Sequence, residues 1–220
     1  AGVVSAVVLA PCAQFIFIGK QSMVDMPFVG FLTIAIALFC AAVFDDEDDR
    51  VGTSKEKGLA AGGLAISLGA QLLLIGRQLE DPAAFAALGG AALLGLAYIV
   101  GIWLRASKRD CYLTGFYILF ALSAGSKGLG PVAVLGVTGL LYLLFTLDFR
   151  IFLRAKVLLG LPLFLLVASP WYLTISLFKG RDEEGKTFVD RFWLPDNFNR
   201  VGAGGHGDRG GLGYYIEQLS

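Results

Sequence analysis

Charged residues are excluded from seven apolar stretches of this chain, and this segregation is the strongest constraint that the sequence places on the fold. Every Lys, Arg, Asp and Glu of the 220 residues falls between the stretches, and none falls inside one. A charge in the hydrocarbon of a bilayer is costly, so this pattern is expected of segments that cross a membrane. The stretches are residues 3–18, 28–44, 58–76, 85–104, 112–124, 132–147 and 157–178.

Composition and stretch length both favour membrane-spanning helices. Hydrophobic residues make up 56% of the chain and charged residues 16%, whereas a soluble domain carries about a quarter charged residues. A helix needs about 20 residues to span a bilayer, and barrel strands would instead alternate over about ten. We therefore predict an all-α polytopic membrane protein with about seven transmembrane helices. Residues 1–178 would form the helical domain, and residues 179–220 a polar non-cytoplasmic loop near the active site.

Basic residues predict the orientation, because cytoplasmic connections carry an excess of Lys and Arg. If the first stretch leaves the cytoplasm, connections 45–57, 105–110 and 148–156 are cytoplasmic and hold nine basic residues. The short outer connections hold only Lys20, Arg77 and Lys127. The formal net charge is zero, so no overall field attracts nucleic acid. This orientation requires 112–124 to be a full crossing, because a re-entrant segment would reverse every later connection.

Two charged residues at the edges of apolar stretches are candidate site residues. Asp25 stands before Met26-Pro27, where it would cap a helix or offer a carboxylate to a metal, a sugar hydroxyl or a proton. Lys127 lies between Ser126 and Gly128. It would be a lysine at the membrane surface in a tight turn, or a cation that neutralises a phosphate beside the next helix start. The sequence leaves both alternatives open for each residue.

The stretch after residue 178 joins aromatic and polar side chains. Arg200 could bind a phosphate with two parallel hydrogen bonds, and His206, the only histidine, could share that contact or shuttle a proton. A solvated histidine in a glycine-rich loop is the plainer alternative. The sequence contains no Ser/His/Asp nucleophile set, no His/Cys metal cluster and no dinucleotide fingerprint. No metal site is predicted.

Two further patterns predict how the helices pack. Gln71, inside an apolar stretch, is expected to form a hydrogen bond between helices rather than a substrate contact. Of the 29 glycines, pairs such as Gly89-Gly90 and the spaced Gly136 and Gly139 are expected to let helices approach closely.

Three segments together resemble the GT-C membrane glycosyltransferases, in particular the group of protein O-mannosyltransferases and aminoarabinose transferases (glycosyltransferase family 39-like). Val24-Asp25-Met26-Pro27-Phe28 is similar to an acidic outer loop of that group. Ser126-Lys127-Gly128 before Leu129-Gly130-Pro131 is similar to its Lys-Gly turn. The stretch after residue 191 resembles its outer aromatic loop, through the residues Trp193, Asn197, Arg200, His206, Tyr214 and Tyr215.

The resemblance implies inverting transfer of a sugar from a polyprenyl-phosphate donor to a protein, lipid or glycan acceptor. It implies that Asp25 assists the acceptor, and that Lys127, Arg200 and His206 stabilise charge on the leaving phosphate. The substrate loop would carry Trp193, Asn197, Tyr214 and Tyr215. The location implied is the bacterial inner (plasma) membrane, with the active site on the periplasmic or outer face. The resemblance leaves open whether a divalent metal takes part.

The chain departs from the family pattern in three places, one of which is a stretch between Asp25 and Lys127 longer than the family leads us to expect, as for an additional helix pair. The family's main catalytic carboxylate lies in a first outer loop ahead of the residues present here, so the chain is expected to be an excerpt. Leu212-Gly213 replaces the Pro-aromatic pair expected before Tyr214. The alternatives from other classes are a membrane transporter, which predicts ionisable residues at mid-membrane, and a non-catalytic subunit of a membrane complex.

Overall fold

The structure, a computed structural model, describes residues 25–44, 50–77, 82–177 and 184–191. Every long element within these residues is an α-helix, which confirms the all-α prediction for this part of the chain. Six of the seven apolar stretches lie on helices, and the stretch 3–18 lies outside the described residues. The helices are α1 Asp25–Val43, α2 Ser54–Gly76, α3 Pro82–Arg105, α4 Lys108–Lys127, α5 Gly130–Thr146, α6 Ile151–Arg154, α7 Val157–Leu177 and α8 Phe188–Arg191.

Three of the described helices are long and apolar enough to cross a membrane, over Met26–Val43, Ser54–Gly76 and Phe85–Arg105. Two further apolar segments, Gly130–Thr146 and Val157–Leu173, are shorter. The chain is therefore a helical membrane protein. The total of about seven spans stays a prediction, and most of the predicted outer loop lies outside the described residues.

The chain divides into two compact units, Ala1–Pro170 and Trp171–Ser220. In the second unit, Thr187 directly precedes the short helix α8 and caps its start. Its backbone N–H donates to the Asp190 carboxylate at 2.9 Å, and the Asp190 N–H donates to the Thr187 hydroxyl at 3.4 Å.

Helix α4 is the central helix of the first unit, although it is the least apolar of the long helices. It packs against α1, α2 and α5. Leu113, Tyr117 and Ala121 are each at most 7% exposed. Outer helices instead present leucines outward, such as Leu93 on α3 at 70% exposed. This is the distribution expected in a bilayer, where the outermost helices meet hydrocarbon and the inner helix can carry polar groups.

Aromatic rings hold α4 against its neighbours. The Phe116 ring lies 5.0 Å from the Phe39 ring of α1, and the Phe120 ring lies 4.7 Å from the Phe164 ring of α7. Such pairs add about 0.5–1.5 kcal/mol beyond the area that they bury. Gln71 of α2 donates to the Val167 carbonyl of α7 at 2.9 Å, which confirms the hydrogen bond between helices that the sequence predicted.

Helices α1 and α4 are antiparallel, and two hydrogen bonds fix their ends. Ser123 Oγ, near the end of α4, donates to the carbonyl of Phe28 at the start of α1 at 3.0 Å. Arg109 Nε, at the start of α4, donates to the carbonyl of Ala42 at the end of α1 at 3.2 Å. Helix α4 therefore runs along α1 from one end to the other, and its crossing of the membrane stays a prediction.

The described parts of the three basic connections meet at one end of the first unit, which we call the charged end (residues 50–57, 105–110 and 148–156). Gly52 N–H donates to the Ala106 carbonyl at 3.1 Å, and Lys108 N–H donates to the Arg50 carbonyl at 3.0 Å. Lys156 Nζ reaches the Asp110 carboxylate at 2.6 Å. The three connections thus share one side, as predicted, and which face of the membrane that side meets stays a prediction.

Among the described glycines, the closest helix contact lies at a position that the sequence pattern did not indicate. A Cβ added at Gly89, Gly136 or Gly139 would meet no described atom within 4 Å. At Gly160 of α7, however, a Cβ would overlap the Tyr117 ring of α4. Among the described residues, none of these three glycines meets a neighbouring helix, because sequence spacing does not show which side of a helix faces a neighbour.

Replacing Gly160 with alanine should destabilise the protein, because the Tyr117 ring is fixed by its hydroxyl, which donates to the Ala155 carbonyl at 2.9 Å. Overpacking of this kind costs about 1–3 kcal/mol. We expect Gly160→Ala to lower the apparent Tm in detergent. Gly136→Ala is the matched control, since its methyl group meets open space and alanine favours the helix. An equal or higher Tm for Gly160→Ala would contradict the contact.

Candidate functional site

Two of the predicted site residues, Asp25 and Lys127, lie at the ends of two neighbouring helices. Asp25 is the first residue of α1, and Lys127 is the last residue of α4. Because α1 and α4 are antiparallel, both residues belong to the same end of the first unit. We call it the Asp25 end, formed by the start of α1 and the end of α4, opposite the charged end.

Side-chain contacts join the two helices at the Asp25 end. The Lys127 amine lies 5.4 Å from the centroid of the Phe28 ring, in the first turn of α1. A cation over a ring face is attracted by the negative face of the π-system. Ser123, which is 0% exposed, donates to the carbonyl of the same Phe28. These two contacts hold the amine of Lys127 beside the first turn of the helix that Asp25 begins.

A tight turn follows Lys127, as the sequence predicted. Gly128 has φ 71°, a conformation that favours glycine, and its N–H donates to the Ala124 carbonyl at 2.8 Å. Helix α5 begins two residues later at Gly130, and Pro131 occupies its first turn. The first N–H groups of α5 therefore lie close in sequence to Lys127. This arrangement is compatible with an anion near Lys127 and equally with a lysine at the membrane surface.

The other predicted site residues, Trp193, Asn197, Arg200, His206, Tyr214 and Tyr215, lie outside the described residues. Within the described ranges, no three His, Cys, Asp or Glu side chains cluster in a way that could hold a metal ion. The assembly of the complete predicted site thus stays a prediction.

A second feature, at the charged end, was not anticipated from the sequence. A groove of about 400 Å³ opens between α3, α4 and the start of α7. Its wall is mainly apolar, with Leu94, Leu113 and Leu163 among its residues. Three charged side chains also line it: Arg105, Asp110 and Lys156.

Asp110 has two functions at the start of α4. Its carboxylate accepts hydrogen bonds from the Ser107 N–H at 3.1 Å and the Ser107 hydroxyl at 3.0 Å, while its own N–H donates to that hydroxyl. The second carboxylate oxygen accepts from Lys156 Nζ. Partial burial opposes ionisation, but the hydrogen bonds from Lys156 and Ser107 outweigh it and keep the pKa of Asp110 below its usual value.

The sequence contains a local pattern for the start of α4, where Asp110 lies, and the same pattern occurs at the start of α2. Ser107-x-x-Asp110 and Thr53-x-x-Glu56 both follow the capping-box pattern, in which a side chain three residues on closes the helix start. In the second of these, Arg50 also pairs with Glu56 at 2.6 Å. The pattern predicts where α2 and α4 begin. The pairing of Asp110 with Lys156, 46 residues away, has no local signal.

These features define the class of the protein as a helical membrane protein with a closely packed central helix. The chain matches no protein-family model, no curated protein sequence and no solved structure. The resemblance to the GT-C glycosyltransferases therefore rests on the residues that carry it.

Acidification should weaken the charged end through Asp110. A carboxyl group whose pKa is lowered on folding stabilises the fold when the pH lies above the ordinary pKa of the group, which is 3.8 for Asp. That contribution is lost as the pH falls through the lowered pKa of the folded state. We expect Asp110→Asn to reduce the free energy of unfolding at about pH 6 by about 1 kcal/mol, after allowance for solvent screening. The Tm of the variant should fall accordingly. The difference from wild type should shrink below about pH 4.

Asp148→Asn is the matched control for this measurement, because its carboxylate lies 3.7 Å from the Arg154 guanidinium and caps no long helix. We expect a smaller loss of Tm in this variant. A gap between wild type and Asp110→Asn that stays constant from about pH 6 to about pH 3 would show that the charge of Asp110 contributes nothing.

Proposed function

We propose that this chain belongs to a membrane glycosyltransferase that moves a sugar from a polyprenyl-phosphate donor to an acceptor hydroxyl. The reaction would occur at the Asp25 end, on the non-cytoplasmic face of a bacterial inner membrane. The observation that carries the proposal is the contact of the Lys127 amine with Phe28, in the first turn of the helix that begins at Asp25. A carboxylate and an amine 102 positions apart in the sequence thereby share one end of the bundle.

The chemistry needs one group for the acceptor and one for the leaving phosphate. The acceptor oxygen attacks the anomeric carbon from the face opposite the phosphate, so the bond from that carbon to the phosphate oxygen breaks with inversion. A carboxylate takes or orients the acceptor proton. The phosphate leaves with its polyprenyl chain and gains negative charge in the transition state, where a fixed cation is most effective.

The proposal assigns the acceptor side to Asp25 and the leaving phosphate to Lys127. The first N–H groups of α5, which follow Lys127 after two residues, would add partial positive charge for the same phosphate. Arg200 and His206 are proposed to complete the phosphate contacts, and Trp193, Asn197, Tyr214 and Tyr215 to contact the substrates. Ser123 would act as a positioning residue, since its hydrogen bond to the Phe28 carbonyl joins the two helices.

Substitutions at the two helix ends should reduce sugar transfer by the intact protein. We expect Lys127→Ala to lower kcat by about 100-fold, because a positioned charge acts mainly in the transition state. Asp25→Asn should lower kcat/KM by about 100-fold or more. The measurement is transfer from polyprenyl-phosphate hexoses in nanodiscs. Lys127→Arg, which keeps the charge, should retain part of the activity.

Arg77→Ala is the matched control for the loss of a cation, because Arg77 is exposed and follows the end of α2 at Gly76. It should transfer sugar at the wild-type rate. Wild-type kcat in Lys127→Ala, with Arg77→Ala equally active, would remove Lys127 from the site. Equal losses in both variants would indicate a general effect of surface charge.

The proposed orientation can be tested by labelling single cysteines in a variant without Cys12, Cys40 and Cys111. A membrane-impermeant maleimide should label Leu129→Cys, next to the Asp25 end, in cells with an intact inner membrane. Ser54→Cys, at the charged end, should react only after that membrane is permeabilised. Both positions are exposed, so accessibility within the fold does not limit either reaction. The opposite pattern would place the Asp25 end in the cytoplasm and exclude the proposed location.

A further inference from the structure

The groove at the charged end has a length and an exposure suited to a lipid chain. It extends along α3 from Arg105 to Leu94, which is about 16 Å for 11 residues at about 1.5 Å each. That length is close to half of the ~30 Å hydrocarbon thickness, the depth of one leaflet. Leu94 is 58% exposed, on a helix long and apolar enough to cross the membrane, so the groove opens toward hydrocarbon.

Small residues create the space. Gly101 on α3 lines the groove, and a Cβ added there would meet no described atom within 4 Å. Ala97 and Gly160 line the same space on α3 and α7. Tyr98 and Tyr117 border it, and each hydroxyl donates to a carbonyl in or beside α7 at 2.9 Å. Their polar atoms are therefore already bonded, and the walls offer an apolar surface.

The charges lie at the membrane-surface end of the groove. Arg105 is exposed, and its guanidinium forms no hydrogen bond or ion pair with any residue that the structure describes. Lys156 uses one of its three donors on Asp110, which leaves two. Since Asp110 offsets one of the two cations, the local net charge is +1. A phosphate diester carries the complementary charge, and Arg can bind it with two parallel hydrogen bonds.

The geometry points to a binding site for an anionic phospholipid of the membrane leaflet at the charged end. One acyl chain lies in the groove between α3, α4 and α7, and the headgroup phosphate contacts Arg105 and Lys156. Basic pockets between helices near a membrane surface favour anionic headgroups in this way. The site lies at the opposite end from Lys127 and does not depend on sugar transfer.

Native mass spectrometry of the intact protein tests this, after titration with phosphatidylglycerol or phosphatidylcholine of identical acyl chains. We expect the wild type to bind phosphatidylglycerol about fivefold more tightly than phosphatidylcholine. One basic residue near a membrane surface contributes about 1 kcal/mol to the binding of an anionic lipid, which corresponds to this ratio. Arg105→Gln should bring the two affinities together. Gly101→Leu should reduce the binding of both lipids, because its side chain fills the groove.

Gly89→Leu is the matched control, since it lies on the same helix in open space outside the groove. It should retain wild-type binding of both lipids. Equal binding of the two lipids by the wild type would overturn the proposal. So would unchanged phosphatidylglycerol binding in Gly101→Leu, or a protein dimer that Gly101→Leu abolishes, since a second copy would then occupy the groove.

Discussion

The described fold depends on the packing of α4 against the helices around it. Its ends are fixed to α1 by the hydrogen bonds of Arg109 and Ser123, and in its middle the Phe116 ring packs against Phe39 of α1. In a bilayer the hydrophobic effect does not drive helices together, so close packing and hydrogen bonds between helices must do so. The two ends of the first unit keep their separate chemistry because α4 spans the distance between them.

The two ends differ in how charge is held. At the charged end, Asp110, Glu56 and Asp148 each pair with a nearby cation, and the nine basic residues of this end leave an excess of positive charge. At the Asp25 end, the contacts of Lys127 and Ser123 both converge on Phe28 in the first turn of α1. The proposed sugar transfer uses the Asp25 end, and the proposed lipid site uses the charged end. Helix α4 contributes residues to both ends, and the two proposed sites have no residue in common.

The sequence predicted several elements correctly and missed others for physical reasons. Exclusion of charge from apolar stretches indicated six of the described helices, and Gln71 forms the hydrogen bond between helices that was expected of a polar side chain in an apolar stretch. The described residues place no neighbouring helix at Gly89, Gly136 or Gly139, and the role of Gly160 was missed, because periodicity does not show which helix a residue faces. Of the candidate site, the Lys127 turn could be predicted; its contact with Phe28 could not, since that needs the antiparallel pairing of α1 and α4. The outer-loop residues from Trp193 onward stay predictions.

The sequence by itself determined that the chain is a helical membrane protein, because the cost of burying charge in hydrocarbon acts on each segment separately. It also determined the starts of α2 and α4, since the capping boxes at Thr53 and Ser107 are local patterns. Only the tertiary structure decided that the least apolar long helix is the central one, that Lys156 pairs with Asp110, and that a groove lies between α3, α4 and α7. These features depend on contacts between residues far apart in the sequence. The apolar surfaces of the helices are compatible with many helix–helix contacts, and only their packing in three dimensions determines which ones form.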